Sequence, residues 1–115
     1  MSAAGKIQLE EGARIDGYRP CADVALDTIA TYARGVAVGV VLTGMGSDAA
    51  KGALAIKSKG GYVIAQDEAT SMIFGMPAEA IKLGAVDEVL PLRNIAAAVE
   101  KRIATICRLA LVGAR

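Results

Sequence analysis

The stretch Val36-Ala-Val-Gly-Val-Val-Leu-Thr-Gly-Met-Gly-Ser-Asp-Ala-Ala-Lys-Gly52 decides how the rest of the chain is read. Val36 to Leu42 is apolar or Gly and rich in Val, the pattern of a strand buried on both faces of a parallel sheet. Thr43-Gly44-Met45-Gly46 predicts a tight turn, after which Ser47 or Asp48 can cap a helix running to about Lys59. Strand, glycine turn and helix start, in that order, form the place where open α/β sheets put their chemistry. Asp48 is the acid at that place.

Working outward, the other elements fall on both sides. Before this stretch, Ile7-Gln8-Leu9 and Arg14-Ile15-Asp16 flank Glu10 to Ala13 and predict a short β-hairpin. Gly17-Tyr18-Arg19-Pro20 is a loop, and Pro20 opens a helix from about Ala22 to Ala33 that Gly35 stops. After it, Tyr62 to Ala65 is a second buried strand, and Ala69 to Phe74 a short helical turn. Pro77 begins a helix through Leu83, Val86 to Leu90 is a third strand, and a last helix runs from Leu92 or Asn94 to about Leu109. Its Ile95, Val99, Ile103 and Ile106 recur at helical spacing, as a core-facing stripe does. The expected fold is α/β, a three-layer, mainly parallel sheet with helices on both faces, a Rossmann-like half-domain with an N-terminal β-hairpin. Three strands make a thin sheet, and at least one edge is left wanting a partner.

The bulk numbers agree. The chain has 115 residues, one domain's length, with a hydrophobic fraction of 54% but only three Tyr, one Phe and no Trp. Its apolar mass is Ala, Val, Ile and Leu, as in strands covered by Ala-rich helices. The net charge is +1 with no basic block, which gives no nucleic-acid footprint. No apolar run reaches the length of about 20 residues that spans a bilayer, and the start lacks the pattern of a signal peptide. A cytoplasmic protein is expected, with Cys21 and Cys107 as reduced, buried thiols. There is no histidine, so a mechanism with an imidazole base cannot be completed within this chain.

Three site readings stand side by side. Gly44-Met45-Gly46-Ser47-Asp48-Ala49 fits the dinucleotide fingerprint, with Asp67 near the position of a ribose-binding acid; the carboxylate of Asp48 opposes a pyrophosphate there. Asp48 can instead orient an imidazole in a Ser-His-Asp system, with backbone N–H groups of the same turn serving an oxyanion. It can also be a plain helix N-cap, which pattern alone favours. Gln66-Asp67-Glu68 with Asp87 and Glu88 reads as solvated loop carboxylates rather than a metal site. Met45, Met72 and Met76 gather near the predicted rim.

Four motifs then bring in a resemblance. Leu42 to Asp48 (L-T-G-M-G-S-D), Ile64 to Ala69 (I-A-Q-D-E-A), Phe74 to Pro77 (F-G-M-P) and Gly84 to Pro91 (G-A-V-D-E-V-L-P) resemble the chemotaxis protein-glutamate methylesterase family. Gly17 to Pro20 is similar to its G-H-R-P segment, with Tyr18 in place of His. Cys21 stands where Ser is common and Ala49 where Gly is common. The resemblance implies the C-terminal half of a catalytic domain that hydrolyses glutamate methyl esters on methyl-accepting chemoreceptors and deamidates receptor glutamines. It implies no cofactor and no metal. Asp48 maps onto the triad Asp, and Met45 onto the residue whose backbone N–H lies near the oxyanion. The family's nucleophilic Ser and its His precede the portion represented here, as does a receiver domain, so the chain alone is expected to be inactive. A half-domain that self-associates, or joins another chain, through its open sheet edge is the alternative of a different class.

Overall fold

A computed structural model describes residues 1–113. The element order is α1 (Ala22–Ala33), β1 (Val38–Val41), α2 (Ala50–Ser58), β2 (Tyr62–Gln66), α3 (Met76–Lys82), β3 (Glu88–Leu90) and α4 (Leu92–Gly113). The three strands are parallel in the order β1-β2-β3. Register pairs Val38 with Tyr62 and Val41 with Ala65, then Ile64 with Glu88 and Gln66 with Leu90.

Alternation along the strands sorts the side chains into two layers. Val41 and Val63 join Ala30, Ala50, Ala53, Ile56 and Ala80 in one buried cluster, so α2 and α3 cover the face on which these odd-numbered strand residues lie. Small Ala side chains let the helices come close to the sheet and to each other. The other face carries Tyr62 and Ile64, and α4 lies over it: the Arg102 guanidinium stacks 4.4 Å from the centre of the Tyr62 ring. Ile95 of α4 and Ile64 are buried there. Farther along the same helix Ile103 is half exposed, as are Val40 and Leu42 at β1. The stripe on α4 is therefore core at Ile95, partly covered at Val99 and Ile106, and exposed at Ile103. The outer edge of β1 has no strand beside it among the described residues.

The expected N-terminal hairpin is not formed. Residues 7–14 hold no strand, and what survives is a single antiparallel bridge between Ile15 and Tyr18. Ile7 is 88% and Leu9 97% exposed. An isolated two-stranded ribbon with nothing to pack its apolar face against is marginal in water. Ala69 to Phe74 is likewise a run of turns rather than helix, because Asp67 captures the Thr70 amide and hydroxyl at 3.0 and 2.6 Å. Such local side-chain bonds compete with helix formation. The thiol expectation holds only in part: Cys21 is half-buried, whereas Cys107 is exposed, and both are free.

Candidate active site

The carboxyl ends of β1 and β2 are tied together by a buried polar side chain. Gln66 is 1% exposed. Its Oε1 accepts the Thr43 amide at 2.8 Å, and its Nε2 donates to the Thr70 carbonyl at 2.8 Å. The Thr43 hydroxyl donates to the Ile73 carbonyl at 3.0 Å and accepts the Ile73 amide at 2.9 Å. The Gly44 carbonyl accepts the amides of Gly75 and Met76 at 3.1 and 2.8 Å. The segments 42–48, 64–69 and 74–77 thus meet at one end of the sheet. The 17–20 segment joins them, with the Tyr18 hydroxyl packed against Gly46, where any side chain at 46 would stand.

Within that frame the backbone amides of Met45, Gly46, Ser47 and Asp48 have no acceptor among the described residues. Successive free N–H groups in a turn attract negative charge. The Met45 side chain is 77% exposed and Met72 is 91% exposed, while Met76 packs on the core.

Asp48 does not cap α2. Ala49, in the left-handed region at φ 79, stands between Asp48 and that helix. The carboxylate turns instead to the start of α1. Oδ2 accepts the Ala22 amide at 2.8 Å, and Oδ1 accepts the Asp23 amide at 2.9 Å. Oδ1 also takes the Ala49 amide at 2.9 Å and the Cys21 thiol at 3.4 Å. Burial pushes the Asp48 pKa up, but the Ala22 and Asp23 amides, the Cys21 thiol and the Ala49 amide outweigh it and hold the carboxyl below its ordinary value. A carboxylate has about four acceptor positions, two on each oxygen. Among the described residues Oδ2 takes a single donor, the Ala22 amide, and so keeps room for another. The side chain faces an opening: a pocket of ≈ 230 Å³ has Asp48, Tyr18, Asp23, Lys51 and Glu79 in its lining.

The sequence reading passed over Asp23, whose Oδ1 accepts the Gly52 amide at 2.6 Å. An acid in the first turn of a helix is the visible signal, but which helix it serves is a tertiary matter. Asp23 fills part of the α2 N-terminus, where a pyrophosphate would need free donors. Asp67, the candidate ribose acid, is engaged with Thr70. Asp87 accepts the Val63 amide at 2.8 Å, and Glu88 accepts the Tyr62 hydroxyl at 3.2 Å, so these carboxylates serve the sheet and do not converge. Cys21, Asp23 and Asp48 do converge, each offering one atom within 4.8 Å of the others. Both carboxylates there already accept backbone amides, which accounts for their convergence without a metal.

The sequence model described as CheB methylesterase matches residues 1–99. A protein-glutamate methylesterase/protein-glutamine glutaminase from Pseudomonas aeruginosa is 47% identical over 98 residues, 85% of this chain and 28% of that protein. One from Bordetella avium is 54% identical over 86 residues, 75% of this chain and 24% of that protein. The crystal structure of the Thermotoga maritima CheB methylesterase catalytic domain is similar with a TM-score of 0.70 at 38% identity, covering 85% of this chain and 48% of that one. The chain therefore spans about a quarter of these curated relatives and about half of the solved catalytic domain.

Proposed function

Because this chain belongs to the CheB methylesterase family, we propose that it supplies the acid and part of the oxyanion site of a domain that hydrolyses glutamate methyl esters on chemoreceptors. Deamidation of receptor glutamines is the second reaction of the same site. The observation that carries this reading is the Asp48 carboxylate, held by the α1 amides at the carboxyl end of β1 with one oxygen still able to accept.

In this reading a serine and a histidine come from the other half of the catalytic domain, which the chain does not span. The serine hydroxyl attacks the ester carbonyl while the imidazole takes its proton. Asp48 accepts the second imidazole N–H, fixing the tautomer and stabilising the imidazolium. The negative charge that develops on the carbonyl oxygen falls to the free amides of the Met45 turn. Methanol leaves with the proton from the imidazolium, and water then releases the glutamate carboxylate by the same path. Methanol and ammonia are the leaving groups of the two reactions, and neither needs a cofactor. The unpaired edge of β1, with Val40 and Leu42 half exposed beside it, is where the other half docks.

The test is hydrolysis of a methylated receptor peptide, followed as methanol release. The chain alone should show none. Mixed with a polypeptide carrying the serine and histidine half of a relative, it should show turnover that Asp48→Ala abolishes. Turnover that survives this substitution would sink the assignment of Asp48.

A further inference from the structure

The starts of α1 and α2 exchange carboxylates. Asp48, just before α2, accepts the Ala22 and Asp23 amides of α1. Asp23, in the first turn of α1, accepts the Gly52 amide of α2 at 2.6 Å. One residue thus does two things: the Asp23 backbone N–H holds Asp48, and the Asp23 side chain fastens that backbone to α2. The helices are pressed together at this point. A Cβ added at Gly52 would lie 2.5 Å from the Leu26 Cβ and 3.1 Å from the Asp23 Cα. Only a glycine lets α1 come near enough for the exchange.

We propose that Asp23 is a positioning residue for the hydrolysis assigned above, on which this inference rests: by anchoring the start of α1 to Gly52 it sets the direction of the Asp48 carboxylate. Asp23 lines the same pocket as Asp48, but its carboxylate is engaged by the Gly52 amide. It acts through two backbone amides, and a carboxylate misdirected by a fraction of an ångström loses its line to an imidazole.

The test separates anchoring from charge by sign. Asp48 is titrated by carbon NMR in the full chain and in Asp23→Ala and Asp23→Asn. If Asp23 were only a neighbouring negative charge, removing it would lower the Asp48 midpoint in both variants. Anchoring requires the opposite for Asp23→Ala: the amides drift and the midpoint rises toward the ordinary value of about 3.9. Asp23→Asn, whose amide oxygen still accepts from Gly52, should show no rise. The other charged groups facing Asp48 across the pocket, Asp16, Lys51 and Glu79, are unchanged and cancel. A midpoint in Asp23→Ala that falls or stays put overturns the proposal. Should that variant not fold, the unmodified chain decides: the Gly52 amide proton must follow the titration of Asp23, and a Gly52 signal indifferent to it overturns the proposal equally.

In a domain completed with the serine and histidine half, Asp23→Ala should lower kcat by about tenfold to a hundredfold with KM little changed. Asp23→Asn should recover most of it. An unchanged kcat overturns the positioning role. A completed, unmodified domain with no activity strikes at the methylesterase reading instead, and the titration then still decides the anchoring.

Discussion

Replacing Asp48 with Ala should destabilise the fold as well as end any catalysis. Three backbone amides, those of Ala22, Asp23 and Ala49, lose their acceptor at once. Removing a side-chain cap costs about 0.5–2 kcal/mol, and bonds to a charged acceptor lie at the upper end of hydrogen-bond contributions. The site is partly open, so water replaces some of what is lost. The sum is roughly 2 kcal/mol, or about 8 °C in Tm for a domain of this size. In urea, with a slope of about 1.5 kcal/mol per molar, the midpoint falls by about 1 M. Asp48→Asn retains one acceptor and turns an NH2 toward the remaining donors, so it should cost about half as much. Sign matters for pH. The folded pKa of Asp48 is depressed, so its contribution is complete above the unfolded value of about 3.9 and is lost as pH falls through the folded one. The gap between the wild type and Asp48→Asn should be constant from neutrality to about pH 5 and close in stronger acid. A urea midpoint at pH 7 unmoved by Asp48→Ala would refute the capping of α1 by this carboxylate.

Ala49 sits at φ 79, so Ala49→Gly should melt no lower than the wild type. Relief of a left-handed backbone, about 1–2 kcal/mol, offsets the buried methyl, which ordinarily contributes about 0.8 kcal/mol; a loss above about 1 kcal/mol in a urea melt would contradict that backbone. Gln66→Leu should cost roughly 2–3 kcal/mol, since the Thr43 amide and the Thr70 carbonyl lose their buried partner. Equal stability of that variant would show the bridge to be idle. Burial, and next the Glu88 carboxylate, push the Tyr62 phenol up. Ultraviolet titration should therefore show Tyr62 ionising late, and Glu88→Gln should bring it partway back. With the folded value raised, this tyrosine's stabilising contribution is present below the ordinary phenol value and disappears as pH rises through the folded one.

How far the sequence carries depends on the range of each signal. Val36 to Gly52 exposes strand, turn and helix because each rests on local pattern: a Val run, two glycines, an Ala-rich stretch at helical spacing. The same pattern reading erred where a partner surface was missing. Ile7 and Leu9 alternate as a strand does, yet nothing in the described chain lies across from them. At Ala69 to Phe74 a side chain two residues upstream outcompeted the helix.

The sequence by itself determined the α/β order of elements, the place of Asp48 at a strand's carboxyl end, and the lack of any imidazole to serve it. Only the tertiary structure decided which helix that carboxylate caps, and it chose α1, 25 residues away along the chain, over the helix next to it. The reason is physical: spacing along a chain states which N–H groups are near in sequence, but a carboxylate bonds to those near in space. Where the backbone turns left-handed at Ala49 and Gly52 admits α1, those are the amides of Ala22 and Asp23.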